Sequence, residues 1–403
     1  MLRRPQSEQG LESCSPARAT VASGCAVTVI AWFVSRVVVG AGWGPARDPF
    51  SFRPALWAHG DSWNYLAMAA AGRTFGRCGT PAFPGHFGVK AQWCGTAGWL
   101  PGYPWIVRVL SSMGVSRPYG AMVVPWVALA VAMFLVWFGW GRDLGAGRAL
   151  ALLVLFGLFP GSVYNFAIFP TSVALACVVG AVLAAVRTRF FVAALLIAVA
   201  GLCYPTAWFA AVGLAVGLAV VAVPQGPAVL LRRALWGLAG LTSLLVLGIH
   251  DQLAFDHFDA YFLRQSQDLF HRGTFPGQQF LRLVFTRSLL VQKLMGRFSA
   301  AVLAFQAVVA LSLAGAGAVV AGRAWRRKQA SPALLYPALV GITVAVVLVF
   351  VTRTGGWDRS VVLAAPCVVG VRRAPLPVLC AMVAVVGVTT AVVSRSFFAG
   401  QLM

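Results

Sequence analysis

The chain has 403 residues, of which 60% are hydrophobic and only 10% are charged, whereas a soluble domain carries about 25% charged residues. This composition excludes an ordinary soluble protein and predicts an all-α polytopic membrane protein. The net charge of +22 predicts contact with anionic lipid headgroups and no nucleic-acid partner, because many of the basic residues lie in short loops between apolar segments.

About eleven segments are apolar enough to cross a bilayer as helices, which takes about 20 residues per crossing. We treat residues 1–403 as one integral membrane domain that contains them all. The predicted spans lie near residues 20–41, 119–141, 149–164, 167–186, 190–203, 206–223, 234–250, 298–321, 333–352, 360–372 and 376–394.

Two long polar loops interrupt this series, the first over residues 43–117 and the second over 251–297. The short connections between the other spans are basic, so the positive-inside rule predicts a cytoplasmic N-terminus and places both long loops outside. Each loop is expected to carry a short amphipathic helix, within Trp99–Val115 and within Phe255–Phe270. The composition, rich in Gly, Ala, Val and Arg, favours a bacterial plasma membrane.

The first loop contains the stretch Trp57–Tyr65, in which one carboxylate stands among aromatic rings, a mixture common in sugar-handling sites. We predict Asp61 as the catalytic base, since a positioned carboxylate can take a hydroxyl proton. The alternative is that Asp61 only caps a helix predicted for residues 62–71. The substrate-binding candidates in this loop, whose rings equally suit an interfacial aromatic belt, are His59, Trp63, Tyr65 and Tyr103.

Two of the eight cysteines, Cys78 and Cys94, lie in the first loop. Because this loop is predicted to be irregular and to face oxidising conditions, we predict a disulfide between them; two unpaired thiols are the alternative. The sequence has no Cys/His spacing typical of a metal site, so we expect no metal cofactor. A divalent metal held by histidines of the outer loops with Asp61 is the alternative.

Several motifs follow one another in the order seen in a known family. The stretch Asp61-Ser-Trp-Asn-Tyr-Leu-Ala-Met-Ala69, followed by Leu100-Pro-Gly-Tyr-Pro104, resembles the PIG-V-type mannosyltransferases, which show Trp-Asp-x-x-x-Tyr-Leu-x-Ile-Ala and then Phe-Pro-Leu-Tyr-Pro. Leu158-Phe-Pro-Gly-Ser-Val-Tyr164 is similar to their Phe-Pro-x-Ser span. The chain departs from the family pattern at His59-Gly60, where the family has Trp directly before its Asp, and at Thr171 or Ser172, where it has Glu.

The resemblance implies a GT-C-like fold and a glycosyltransferase activity. It implies a polyprenyl-phosphate sugar as donor, mannose as the sugar and an Asp in the first outer loop as base, which is Asp61 here. The acceptor would be a lipid or a glycan. The competing functions are a lipid or polymer transporter without chemistry and a catalytically inactive relative. An enzyme would concentrate its polar groups in one outer cavity, whereas a transporter would line a path between both faces.

Transfer from a lipid phosphate also requires a cation beside the leaving phosphate. Each arginine in the outer segments is a candidate, although any one of them could instead contact lipid headgroups. The candidates are Arg264, Arg272, Arg353 and Arg359.

Overall fold

The computed structural model describes residues 20–42, 51–83, 92–266, 289–326, 331–351 and 357–399. For residues 289–304, 349–351, 357 and 358 it describes the backbone alone. Two of the predicted phosphate ligands, Arg272 and Arg353, lie outside the described residues.

The described chain is almost entirely helical. Six of its helices are long and apolar enough to cross a membrane, and five shorter apolar helices bring the number to the predicted eleven. This confirms the all-α polytopic architecture. The α-helices are α1 (Val21–Ala41), α2 (Ser62–Ala71), α3 (Gly102–Ser112), α4 (Arg117–Val136), α5 (Ala146–Gly157), α6 (Thr171–Val186), α7 (Phe190–Cys203), α8 (Thr206–Ala222), α9 (Pro227–Leu238), α10 (Thr242–Phe255), α11 (Ala260–Ser266), α12 (Leu289–Arg326), α13 (Pro332–Val351), α14 (Trp357–Ser360) and α15 (Leu376–Phe398).

Tighter or wider helical turns join several of these helices. A π-helical turn, Trp137–Gly141, extends α4. The 3₁₀-helices are Pro54–Leu56, Ser162–Asn165, Val223–Gln225, Ala239–Leu241 and Val361–Val371.

The 3₁₀-helix Val361–Val371 lies at the centre of the bundle, packed against α6, α12 and α13. Glycines let the backbones approach closely here, as is common between helices in membranes. A Cβ at Gly341 would lie 2.5 Å from Cβ of Cys367, and one at Gly370 would lie 2.5 Å from Cα of Gly317. This close packing fixes the position of the central 3₁₀-helix, which begins two residues after Arg359.

The structure differs from the predicted spans 149–164 and 167–186. Helix α5 ends at Gly157 and α6 begins only at Thr171, and residues 158–170 between them are buried but irregular except for one 3₁₀ turn. Pro160 lacks an N–H for a helix, and Gly161 has φ +84°, the left-handed region that favours glycine. We call residues 158–170 the buried segment.

The buried segment forms hydrogen bonds to other parts of the protein. The backbone N–H of Ile168 donates to the carbonyl oxygen of Trp57 over 2.9 Å, and the indole of Trp126 donates to the carbonyl oxygen of Phe166 over 2.7 Å. Irregular backbone at membrane depth requires such cover by protein. The Trp57 contact joins the buried segment to the first loop just before Asp61.

The first loop contains α2, a small antiparallel ribbon and α3. The ribbon pairs β1 (Gly76–Arg77) with β2 (Trp93–Cys94), and a disulfide joins Cys78 to Cys94 beside it. The predicted interfacial helix within Trp99–Val115 corresponds to α3.

Two long helices extend into the predicted second loop, one from each side. Helix α10 continues to Phe255, and α12 already begins at Leu289, inside the predicted loop 251–297. Between them, α11 is the described part of the amphipathic helix predicted within Phe255–Phe270.

Candidate functional site

Asp61 forms an ion pair with a residue almost at the other end of the chain. The guanidinium of Arg359 donates to Oδ2 of Asp61, and the two side chains are 21% and 24% exposed, respectively. Asp61 precedes the first residue of α2, but its side chain makes no capping hydrogen bond to that helix. Helix capping therefore does not explain the position of this carboxylate.

Aromatic rings surround this ion pair. The guanidinium carbon of Arg359 lies 5.9 Å from the ring centre of Phe169 in the buried segment. Phe169 in turn makes edge contacts with Tyr65, at 5.8 Å between ring centres, and with Tyr164, at 5.0 Å. Two segments distant in sequence, the first loop and the buried segment, thus form one aromatic wall next to the ion pair.

A hydrogen bond fixes the backbone next to Arg359. The hydroxyls of Tyr204 and Ser360 lie 3.1 Å apart, and both side chains are buried. Tyr204 follows the last residue of α7, and Ser360 directly precedes the central 3₁₀-helix. Arg359 is therefore held by two contacts, its own ion pair with Asp61 and the Tyr204–Ser360 hydrogen bond beside it.

The charges in the site support one another. Burial lowers the pKa of Arg359, but the negative charge of Asp61 and the nearby Tyr204, Tyr164 and Tyr65 outweigh it, so this pKa lies above its ordinary value. Burial, with a further contribution from Asp61, raises the pKa of Tyr65 well above its ordinary value. The site therefore contains the guanidinium of Arg359 and the neutral hydroxyl of Tyr65 at neutral pH.

The other residues predicted in the first loop have different environments. The imidazole Nε2 of His59 lies 3.2 Å from the carbonyl oxygen of Leu56, and burial lowers its pKa. Tyr103 is buried, donates its hydroxyl to the carbonyl oxygen of Ala121, and contacts Tyr65 at 5.7 Å between ring centres. Trp63 is 59% exposed. Of the titratable residues among these, Tyr65 is the one on whose pKa the charges of both Asp61 and Arg359 act.

Arg264, which lies on α11, contacts the first loop. Its Nε donates to the carbonyl oxygen of Gly95 over 3.3 Å, and its guanidinium lies 5.5 Å from the ring centre of Trp99. These contacts join the two outer loops. A role for Arg264 at the donor phosphate stays a prediction, and Arg359 is the candidate arginine that contacts Asp61.

A second ion pair was not recognised from the sequence. The guanidinium of Arg73 donates to both carboxylate oxygens of Asp251, and the two side chains are 2% and 0% exposed. Arg73 also donates to the carbonyl oxygen of Ala97, and Asp251 accepts from the backbone N–H of Tyr261 over 3.2 Å. This pair attaches the first loop to α10 and α11. The isolated Asp251 at the end of an apolar run was the available signal, because such a charge requires a partner.

Arg36, in the second half of α1, is a charged side chain buried inside the protein. It is 2% exposed. Its guanidinium carbon lies 3.8 Å from the ring centre of Trp57 and 4.8 Å from that of Trp126. The cation–π contacts stabilise the buried charge and hold the chain just before Asp61.

This arrangement offers a carboxylate that can accept a proton, a cation that can bind a phosphate, and rings that can contact a sugar. Among the residues that the structure describes, no three His, Cys, Asp or Glu side chains lie close enough to hold a metal ion.

No family model matches the chain, and no curated protein matches it. The solved structures similar to it include two of ArnT from Cupriavidus metallidurans. The structure of ArnT bound to undecaprenyl phosphate has a TM-score of 0.45 at 16% identity, and the match covers 95% of this chain and 76% of that one. For ArnT in the apo state the TM-score is 0.46, again at 16% identity, with 95% of this chain and 75% of that one covered.

Proposed function

We propose that this protein is a glycosyltransferase that moves a sugar from a polyprenyl-phosphate donor to a hydroxyl of a lipid or glycan acceptor. Mannose is the proposed sugar, on the strength of the motif resemblance. The reaction would take place on the outer face of a bacterial plasma membrane, with the N-terminus in the cytoplasm.

One observation carries the proposal: the carboxylate of Asp61 makes no capping hydrogen bond to α2 and accepts one from Arg359 instead. A carboxylate, a guanidinium and aromatic rings are the three kinds of group that such a transfer requires. They come from the first loop, the buried segment and α14, which ends directly before the central 3₁₀-helix. Both arginine–carboxylate pairs of the described residues involve a first-loop residue, Asp61 or Arg73. The concentration of both charged pairs at the first loop favours an enzyme site over a transport path that connects the two faces of the membrane.

The proposed step is a single displacement. The acceptor oxygen forms a bond to the anomeric carbon while the bond from that carbon to the phosphate oxygen breaks. The bonding electrons leave with the phosphate, so polyprenyl phosphate gains one negative charge beside Arg359. The hydroxyl proton goes to Asp61, a transfer that contributes about 10²–10⁴-fold in rate. Tyr65 and Phe169 would contact the sugar.

The test is to incubate the purified protein with polyprenyl-phosphate mannose and a membrane lipid extract and to identify the mannosylated product. Asp61→Asn should reduce product formation at least about 100-fold, because the amide cannot take the proton. Asp259→Asn, which changes an exposed carboxylate on the second loop, is the matched control and should retain activity. Equal activity of Asp61→Asn and the wild type would remove Asp61 as the base.

The donor sugar can be tested separately. If wild-type protein forms product with another polyprenyl-phosphate sugar and none with mannose, the transferase assignment stands and the sugar is wrong. If no polyprenyl-phosphate sugar is consumed, the enzyme proposal fails and the transporter alternative takes its place.

A further inference from the structure

The Asp61–Arg359 ion pair joins the two groups that the proposed reaction needs separately. Oδ2 of Asp61 accepts a hydrogen bond from Arg359, while the reaction requires an Asp61 oxygen to receive the acceptor proton. The same guanidinium is the proposed partner of the donor phosphate. In the structure, Asp61 and Arg359 are therefore bound to each other instead of to the acceptor hydroxyl and the donor phosphate.

The pair is within reach of a ligand. The side chains of Asp61 and Arg359 are 24% and 21% exposed, in contrast to the fully buried Arg73–Asp251 pair. Ion pairs that keep contact with solvent contribute little net stability, so a second anion can displace one partner at a modest cost. A phosphate also matches the forked geometry of a guanidinium and binds it strongly.

Asp61 is the anion that a phosphate would have to displace. Among the described residues whose charge acts on Arg359, Asp61 is the carboxylate and the others are Tyr204, Tyr164 and Tyr65. The raised pKa of Tyr65 keeps its hydroxyl neutral. A phosphate and a carboxylate that both approach one guanidinium repel each other, and this repulsion is strong in a partly dry site.

We propose that the donor phosphate and the Asp61 carboxylate compete for Arg359, so that donor binding releases Asp61 to act as the base. This inference rests on the proposed function and adds to it the order in which substrates bind and products leave. The donor binds first, the released carboxylate then accepts the proton of the acceptor hydroxyl, and polyprenyl phosphate must leave before the ion pair re-forms. Without donor, Asp61 remains bound to Arg359.

The test measures the affinity of undecaprenyl phosphate for the protein in nanodiscs of phosphatidylcholine, which avoids competing anionic headgroups. Asp61→Asn removes the competing charge and should tighten binding about threefold to tenfold. Arg359→Gln removes the phosphate partner and should weaken binding at least about tenfold. Asp259→Asn is the control for loss of a carboxylate elsewhere and should bind like the wild type.

The double variant Asp61→Asn/Arg359→Gln separates competition from simple repulsion between Asp61 and the phosphate. Competition acts through Arg359, so the tightening caused by Asp61→Asn should disappear when Arg359 is absent. Thermal unfolding of each variant verifies that it is folded before binding is measured.

Two results would overturn the competition alone: Asp61→Asn binds no tighter than the wild type, or its tightening persists in the Arg359→Gln background. If neither the wild type nor Asp61→Asn binds undecaprenyl phosphate, the proposed donor is wrong, and the function and the competition fall together.

Discussion

At the scale of single residues, His59 is a titratable group close to the site whose environment disfavours its charge. Burial lowers its pKa from the ordinary value of 6.5, and the hydrogen bond to Leu56 opposes this effect only in part. The folded protein therefore keeps His59 neutral at a pH where the unfolded chain already binds a proton. Its edge contact with Phe397, at 4.7 Å between ring centres, involves this neutral ring.

We expect His59 to make the folded protein less stable in acid. The contribution of His59 to the free energy of unfolding is complete above its unfolded-state pKa of about 6.5. It is lost as the pH falls below that value, because the unfolded state then binds more protons than the folded state. His59→Gln should have a thermal unfolding midpoint that falls less between about pH 7.5 and pH 5.5 than that of the wild type. Equal losses in both proteins would contradict this assignment.

At the scale of elements, the Arg73–Asp251 pair is the main polar attachment between the first loop and α10. Removal of one partner leaves a buried charge unpaired, which typically costs about 3–5 kcal/mol. Asp251→Asn should therefore strongly lower the unfolding midpoint. The exposed Asp256 provides the control, since Asp256→Asn should change stability by about 0.5 kcal/mol or less. A similar small effect of Asp251→Asn would show that this pair does not hold the loop.

The disulfide closes the first loop between Cys78 and Cys94, which are 16 positions apart. In the chain-entropy model, closing a loop of this size is worth roughly 3 kcal/mol. Cys78→Ser/Cys94→Ser should lower stability, and unreduced peptides of the wild type should contain the bridge by mass spectrometry. Free alkylated thiols at both positions, in protein from the native membrane, would exclude it.

The length of the apolar runs was sufficient to predict an all-α polytopic protein of about eleven apolar helices, because about 20 apolar residues leave few alternatives in a bilayer. It was not sufficient to predict the buried segment, since Phe159, Phe166 and Phe169 are as apolar as a span. Only Pro160 and Gly161 signalled the break.

The site was predictable in part. Asp61 and Tyr65 were recognised because they are close in sequence and belong to one motif. Arg359 was one of four equivalent arginines, and the sequence contains nothing that specifies its pairing with a residue 298 positions away. The Arg73–Asp251 contact was missed for the same reason, since long-range ion pairs leave no local pattern.

At the scale of the whole molecule, the predicted orientation places α11 outside and the connection after α4 in the cytoplasm. Both Ser266 and Gly145 are exposed, so cysteines at these positions should be accessible. In intact cells, Ser266→Cys should label with an impermeant thiol reagent and Gly145→Cys should not, with wild-type protein as background. The reverse pattern would invert the topology and remove the proposed outer-face reaction.

The long separation between Asp61 and Arg359 also has a consequence for biogenesis. Arg359 follows Asp61 by 298 positions, and Phe397, the packing partner of His59, follows later still, so both are synthesised long after the first loop. A nascent chain that has already inserted its first loop therefore lacks both the cation of Arg359 and the ring of Phe397. The Asp61–Arg359 pair can form only after residue 359 has been synthesised, so we expect a product that terminates before it to contain Asp61 and yet be inactive in the membrane.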